Sequence, residues 1–264
     1  MCMLSLLKYD SGTIEVFGKK DISNEYEIKK KIGIVPQELA VFNNLTVKEN
    51  IDYFCGLYIS NKNERKRLVN EAIEFTGLQS HEKMLEKKLS GGLKRRLNIA
   101  CGISHKPELV ILDEPTVAVD AQSRKFILDG IKNLAENGSS ILYTTHYLDE
   151  AEYLCNKISI MDNGKNILTG DMQTLINGVS VKEKITVVGF IKPEIISILE
   201  KQDEVIDVEA KENQVTFNYS SDTGNIKKLI YLLDENNVVY EEIFSKKPKL
   251  EDIFLEMTGK ELRE

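Results

Sequence analysis

Apolar and polar positions follow two periods along this chain. Leu109–Leu112 and Ile141–Tyr143 are unbroken apolar runs flanked by polar or charged residues. Each reads as a strand buried on both faces, as in a parallel sheet. KIGIVPQ (31–37) predicts a third strand, stopped by Pro36, and TIEVF (13–17) a short one ending at a Gly18 turn. Between them the period becomes helical. Thr46 with Glu49 three residues on is a capping-box signature ahead of NIDYFCGLY. Residues 64–76 predict a charged amphipathic helix closed by Gly77. After Leu89–Gly92 comes another, with Leu93, Leu97, Ala100 and Ile103 on one stripe. Residues 123–138, closed by Gly138, and YLDEAEYLC complete an alternation of strand and helix. That alternation predicts an α/β fold with a parallel sheet.

Residues 157–171 predict a hairpin around Asn163-Gly164. The texture changes near residue 180. Segments 183–190, 193–202, 205–220, 225–237 and 238–244 read as strand, helix, strand hairpin, helix and strand. The order β-α-β-β-α-β predicts a small α+β ferredoxin-like domain, followed by a terminal helix over 248–259.

Composition narrows the class. The chain has 264 residues, 42% hydrophobic and 29% charged, which is too apolar for a disordered segment. Thirty-five basic against 42 acidic residues give a net charge of −7, so no nucleic-acid partner is expected. No apolar run approaches the roughly 20 residues that cross a bilayer, and no secretory signal is evident. Cys2, Cys55, Cys101 and Cys155 lie far apart with no CxxC pair, and only three histidines occur. Reduced thiols and no structural zinc are expected, in a soluble intracellular protein.

Four short motifs carry chemistry. Ser90, Gly91 and Gly92 open a helix, whose free N–H donors and positive dipole end suit an anion. An ordinary capped helix would look the same. VILDEP (110–115) is an apolar strand ending in Asp113 and Glu114. Side chains alternate along a strand, so the two carboxylates point different ways, one toward a magnesium ion and one toward an attacking water. A solvated acidic pair is the plain alternative. His146 and Gln37 end two further strands of the expected sheet, and ligands collect at the carboxyl ends of such strands.

In this order and spacing (53 residues from Gln37 to Ser90, 23 to Asp113, 33 to His146) the set is far more specific than its parts. The chain resembles the nucleotide-binding subunit of an ABC transporter over about residues 4–175. Gln37 matches that family's Q-loop, LSGGLKRRL its signature, VILDEP its Walker B segment, Asp120 its D-loop and His146 its switch histidine. TTHYLDEAE and PKLEDIFLEMTGKELR further resemble subunits serving drug-, antibiotic- or sodium-export permeases. The resemblance implies a P-loop NTPase-like core over 1–178, incomplete at its N-terminus, with a helical subdomain at about 38–104 and a C-terminal domain over 179–264. It implies ATP and Mg2+ as ligands. Glu114, His146 and Gln37 would be catalytic, Asp113 and Gln37 would hold the metal, and Ser90, Gly91, Gly92 and Asp120 would contact nucleotide. Its implied partners are an integral-membrane permease, docked near Leu39, Val41 and Phe42, and a second ATP-binding subunit in a homo- or heterodimer. The implied location is peripheral, on the cytoplasmic face of the cell membrane.

The family's phosphate loop, GxxxxGK[ST], is not found in the 264 residues. Gly12-TIEVF-Gly18-Lys19 has five residues between its glycines and no hydroxyl after the lysine. Two expectations follow: weak ATP binding by the chain on its own, and loss of a sheet neighbour by both VIL (110–112) and ILY (141–143). The competing function is a regulatory partner or inactive fragment that only completes another subunit's ATP site through LSGG. Ala118 and Ala121 stand where the family often has Gly and Pro.

Overall fold

The computed structural model describes residues 2–20 and 22–259. The end of the expected export-type tail, Lys260–Arg263, lies outside them. The chain divides into two compact units, one up to Glu150 and one from Ala151 onward.

The first unit begins with a short helix α1 (Tyr26–Lys29) and strand β1 (Ile32–Val35). Three longer helices follow, α2 (Val47–Gly56), α3 (Lys62–Phe75) and α4 (Gly91–Ile103). Then come β2 (Leu109–Asp113), α5 (Ala121–Glu136), β3 (Ser140–Thr144) and α6 (Leu148–Leu154), which runs across the division. The expected capping box is present: Thr46 Oγ1 accepts from Glu49 N at 3.2 Å, and Glu49 Oε2 accepts from Thr46 N at 2.8 Å. Helices α2, α3 and α4 share an apolar core around Ile51, Val69, Leu78 and Leu97.

β1, β2 and β3 form a parallel sheet in that order, with Val35, Leu112 and Tyr143 in register. β2 therefore keeps a neighbour on each side, which corrects the expectation that VIL loses one. The outer edges of β1 and β3 have no strand partner among the described residues. Double-sided burial is not found either. Val110 and Leu112 are fully buried, but the registered row Ile34, Ile111 and Leu142 is partly open, with Ile34 and Leu142 about 40% exposed. TIEVF is not a strand. Val16 and Lys19 bond to each other across a tight turn in which Phe17 and Gly18 both have positive φ. With no strand alongside, the segment packs instead as Ile14 and Val16 against Ile28 and Ile32.

α4 lies against β1 almost backbone to backbone. A Cβ at Gly33 would sit 2.4 Å from the Gly102 carbonyl oxygen, and one at Gly102 would sit 2.7 Å from that of Ile34. His105, just past α4, is 8% exposed and bonds through Nε2 to the Ile32 carbonyl at 3.2 Å, while Nδ1 has no partner. Burial holds its pKa below the usual 6.5. The unfolded chain therefore takes up the proton first, and stability is lost as pH falls below about 6.5. Chemical unfolding at pH 7 and pH 5 should show this loss, and His105→Gln should flatten it.

The second unit opens with the antiparallel hairpin β4 (Ile158–Asp162) and β5 (Lys165–Gly170). Its Asn163-Gly164 turn has both φ values positive, as a type I′ hairpin turn requires. Helix α7 (Met172–Asn177), which the hydrophobic pattern did not announce, is capped by Asp171 through Thr174 N. Next come β6 (Glu183–Val188), α8 (Pro193–Leu199), β7 (Val205–Lys211), β8 (Gln214–Tyr219), α9 (Asn225–Glu235), β9 (Glu242–Lys246) and α10 (Leu250–Thr258). The four strands form an antiparallel sheet in the order β7-β8-β6-β9, the ferredoxin-like arrangement expected from the sequence. Its last strand starts four residues later than the apolar pattern suggests. Among the described residues no helix is long and apolar enough to cross a membrane.

Candidate functional site

Three of the expected residues meet at one carboxylate oxygen. Glu114 Oε2 accepts from Gln37 Nε2 at 3.4 Å and lies 3.1 Å from His146 Nδ1. The parallel sheet explains why. Gln37 follows β1, Glu114 follows β2 and His146 follows β3, so all three stand on the carboxyl rim of one sheet. Glu114 does not point by strand alternation as expected. The strand ends at Asp113, and Glu114 has a φ of 45°, a left-handed conformation that costs an ordinary residue energy. Its N–H, donated to the Thr144 carbonyl at 3.0 Å, helps hold that turn.

Asp113 sits beside this cluster. One of its oxygens accepts from Thr144 Oγ1 at 2.5 Å. Among the described residues no three His, Cys, Asp or Glu side chains form a metal cage. Mg2+ commonly takes one or two protein oxygens and fills its shell with phosphates and water. The second Asp113 oxygen and the Gln37 amide oxygen, whose NH2 faces Glu114, are hard donors of the required kind.

Ser90, Gly91, Gly92 and Asp120 form a second group. Ser90 caps α4 and Asp120 caps α5, accepting from Leu93 N at 3.4 Å and Ser123 N at 2.9 Å. The bonds from Ser123 hold the Asp120 carboxyl below its ordinary pKa. Gly92 lets these two helix starts approach: a Cβ there would lie 2.3 Å from Ser123 Oγ and 3.0 Å from Asp120 Oδ2. The first N–H groups of α4 have no backbone acceptor within the helix, and such helix starts are suited to an anion.

The two groups are joined by residues that the motif reading passed over. Arg95, buried on α4, donates to the carbonyls of Pro36 and Gln37 at 3.2 and 2.8 Å. Asn98 donates to Pro36 O at 3.1 Å and accepts from Ala40 N at 3.0 Å. The helix that presents Ser90 thus also holds the loop that presents Gln37. Glu150 was likewise missed. It is 1% exposed and accepts from Thr116 (2.7 Å), Arg124 Nε (2.6 Å), Tyr143 OH (2.6 Å) and Thr145 (3.1 Å). Its place in the acidic run LDEAE gave no local signal of that burial.

Ala118 has a φ of 58°, in the left-handed region that costs a residue with a Cβ about 1–2 kcal/mol. Ala118→Gly should stabilise the chain by about 0.5–1 kcal/mol after glycine's greater chain entropy is counted, measured by denaturant unfolding.

A protein-family model for the ABC transporter family matches residues 1–117. Over 265 residues the chain is 37% identical to the linearmycin resistance ATP-binding protein of Bacillus subtilis (strain 168), covering 98% of this chain and 84% of that protein. It is 31% identical over 266 residues to Nod factor export ATP-binding protein I of Rhizobium meliloti (strain 1021), covering 99% of this chain and 76% of that one. Among solved structures it resembles cbiO1 from Clostridium perfringens, part of an ABC transporter complex (TM-score 0.58, 26% identity, 67% of this chain and 75% of that chain). The fold is shared with the ATP-binding subunit of another ABC transporter (TM-score 0.60, 22% identity, 67% and 73% covered). A relative of this identity spanning nearly the whole chain leaves one assignment for a sheet rim so furnished: the chain belongs to the family of ABC transporter ATP-binding proteins.

Proposed function

We propose that the chain is the ATP-binding subunit of an exporter, working with a separate membrane permease and a second ATP-binding subunit. The observation that carries this reading is the meeting of Gln37 and His146 at Glu114 Oε2. In it, nucleotide lies between a phosphate loop on one side and Ser90–Gly92 on the other. Glu114 takes up the proton of the attacking water, and His146 faces the terminal phosphate. Asp113 and Gln37 would hold Mg2+, which would supply charge neutralisation to the phosphates. Asp120 orders the approach of α4 and α5. Catalysis is then positioning and electrostatics. The nucleotide-binding part extends to about residue 178 and the C-terminal part over 179–264. The names of the relatives, linearmycin resistance and Nod factor export, support outward transport. Leu39, Phe42, Tyr53 and Leu57, each at least 40% exposed beside the helical core, are the surface we assign to the permease, which would bring the chain to the membrane's cytoplasmic face. Val41 is half-buried and supports that surface from below.

A second reading is favoured by the lack of GxxxxGK[ST] in the 264 residues. In it the chain presents its signature helix to ATP held by another subunit and does no hydrolysis of its own. Both readings require Ser90. With a partner subunit that carries a phosphate loop, Ser90→Arg should abolish ATP-dependent association in sedimentation experiments and lower turnover at least roughly 10²-fold. Association that survives unchanged would exclude both.

A further inference from the structure

The second unit holds a basic cavity that the nucleotide reading does not use. It has a volume of about 270 Å³ and receives five lysines, Lys184, Lys211, Lys246, Lys247 and Lys249. Two carboxylates, Glu209 and Asp252, also line it, leaving a formal charge of +3 in a protein whose net charge is −7. Of the five, only Lys184 has an ion pair among the described residues, at 2.7 Å from Asp252 and 3.9 Å from Glu209.

The ferredoxin-like sheet dictates this concentration. Ile185, Val187, Val215 and Phe217 point to the apolar core, so their neighbours Lys184, Thr186, Gln214 and Thr216 share the opposite face. Lys211 and Lys246 join them from the two edge strands, and Lys247 and Lys249 from the turn into α10. Lysines on sheet edges discourage strand addition, which is enough to account for Lys211 and Lys246. It does not account for Lys184 on a central strand or for the two in the turn.

The floor of the cavity adds a hydrogen-bond donor. Thr186 is 6% exposed, and its hydroxyl lies 3.0 Å from that of Thr216. One hydroxyl donates to the other, so the second still has a hydrogen to give, and neither has another partner among the described residues. Lys246 lies over the Phe244 ring at 4.8 Å, which restrains its ammonium at the rim. A donor at the floor under several unpaired ammonium groups is complementary to a compact, multiply charged oxyanion.

We propose that this cavity binds a small phosphate-bearing molecule of two or three negative charges, no larger than a mononucleotide. The cavity volume of about 270 Å³ matches a group of that size. The test uses the whole chain in calorimetric titration with inorganic pyrophosphate and, separately, AMP. Saturable binding is expected, weakened at least tenfold by Lys211→Gln with Lys247→Gln and weakened further by raised salt. Lys66→Gln with Lys87→Gln, which removes the same charge from exposed sites in the first unit, should leave it unchanged. Thr186→Val should weaken it without altering the unfolding midpoint by more than a few degrees. The phosphate could also come from a lipid headgroup. Co-sedimentation with phosphatidylglycerol vesicles but not phosphatidylcholine vesicles, lost in the Lys211/Lys247 variant, would identify that source. No saturable binding of any of these, or equal loss in both lysine pairs, would overturn the proposal.

Discussion

In an assembly that places a phosphate loop against this rim, Glu114→Gln lowers ATP turnover by roughly 10²–10⁴-fold while ATP is still bound. The reason lies in one atom. Glu114 Oε2 is where Gln37 and His146 converge, and the proposed function makes it the proton acceptor for the attacking water. A glutamine keeps the side-chain shape and the left-handed backbone at that position, so the cluster should persist. What it cannot do is accept a proton. Steady-state hydrolysis and equilibrium binding of ATP, measured on the same preparation, separate these effects. Turnover within a factor of two of the parent would remove Glu114 from the role of base.

Glu150→Ala costs about 3–5 kcal/mol, because it strips a buried charge from partners that stay behind. Arg124 would lose the carboxylate at 2.6 Å and keep only Asp149, whose oxygens lie at 3.0 Å on the exposed side. The hydroxyls of Thr116, Tyr143 and Thr145 would lose their acceptor together. These residues belong to the segments around Glu114 and His146, so the loss reaches the site as well. At roughly 2–4 °C per kcal/mol for a unit of this size, the midpoint of thermal unfolding should fall by about 6–20 °C. Glu150→Gln keeps an acceptor oxygen and should fall less. A midpoint unchanged in Glu150→Ala would show that the carboxylate is dispensable.

The parts legible in the sequence were those governed by local rules. Thr46 with Glu49, Ser90 ahead of two glycines, and Asn163-Gly164 each fix their geometry within four residues, and each stands as expected. The strands after Pro107 were legible because apolar runs of that length have few alternatives. TIEVF has the same composition but no adjacent strand, and composition alone cannot supply one. Leu142 looked buried because its neighbours are apolar, yet its exposure depends on what covers that face of the sheet. Glu150 sits in the acidic run LDEAE, which reads as a solvated helix face. Its burial depends on Arg124, 26 residues away, and no local pattern announces such a pairing. At the candidate site the spacing of motifs was legible, but the turn of Glu114 out of its strand was not, since it is set by the Thr144 carbonyl on the neighbouring strand.

The unpaired side of β3 has a practical consequence. A row of backbone amides and carbonyls beside the half-open Leu142 is a template that accepts an extended peptide without regard to its side chains. Concentrated preparations of this polypeptide will therefore tend to self-associate through that margin. A short synthetic strand that occupies it should keep the material dispersed.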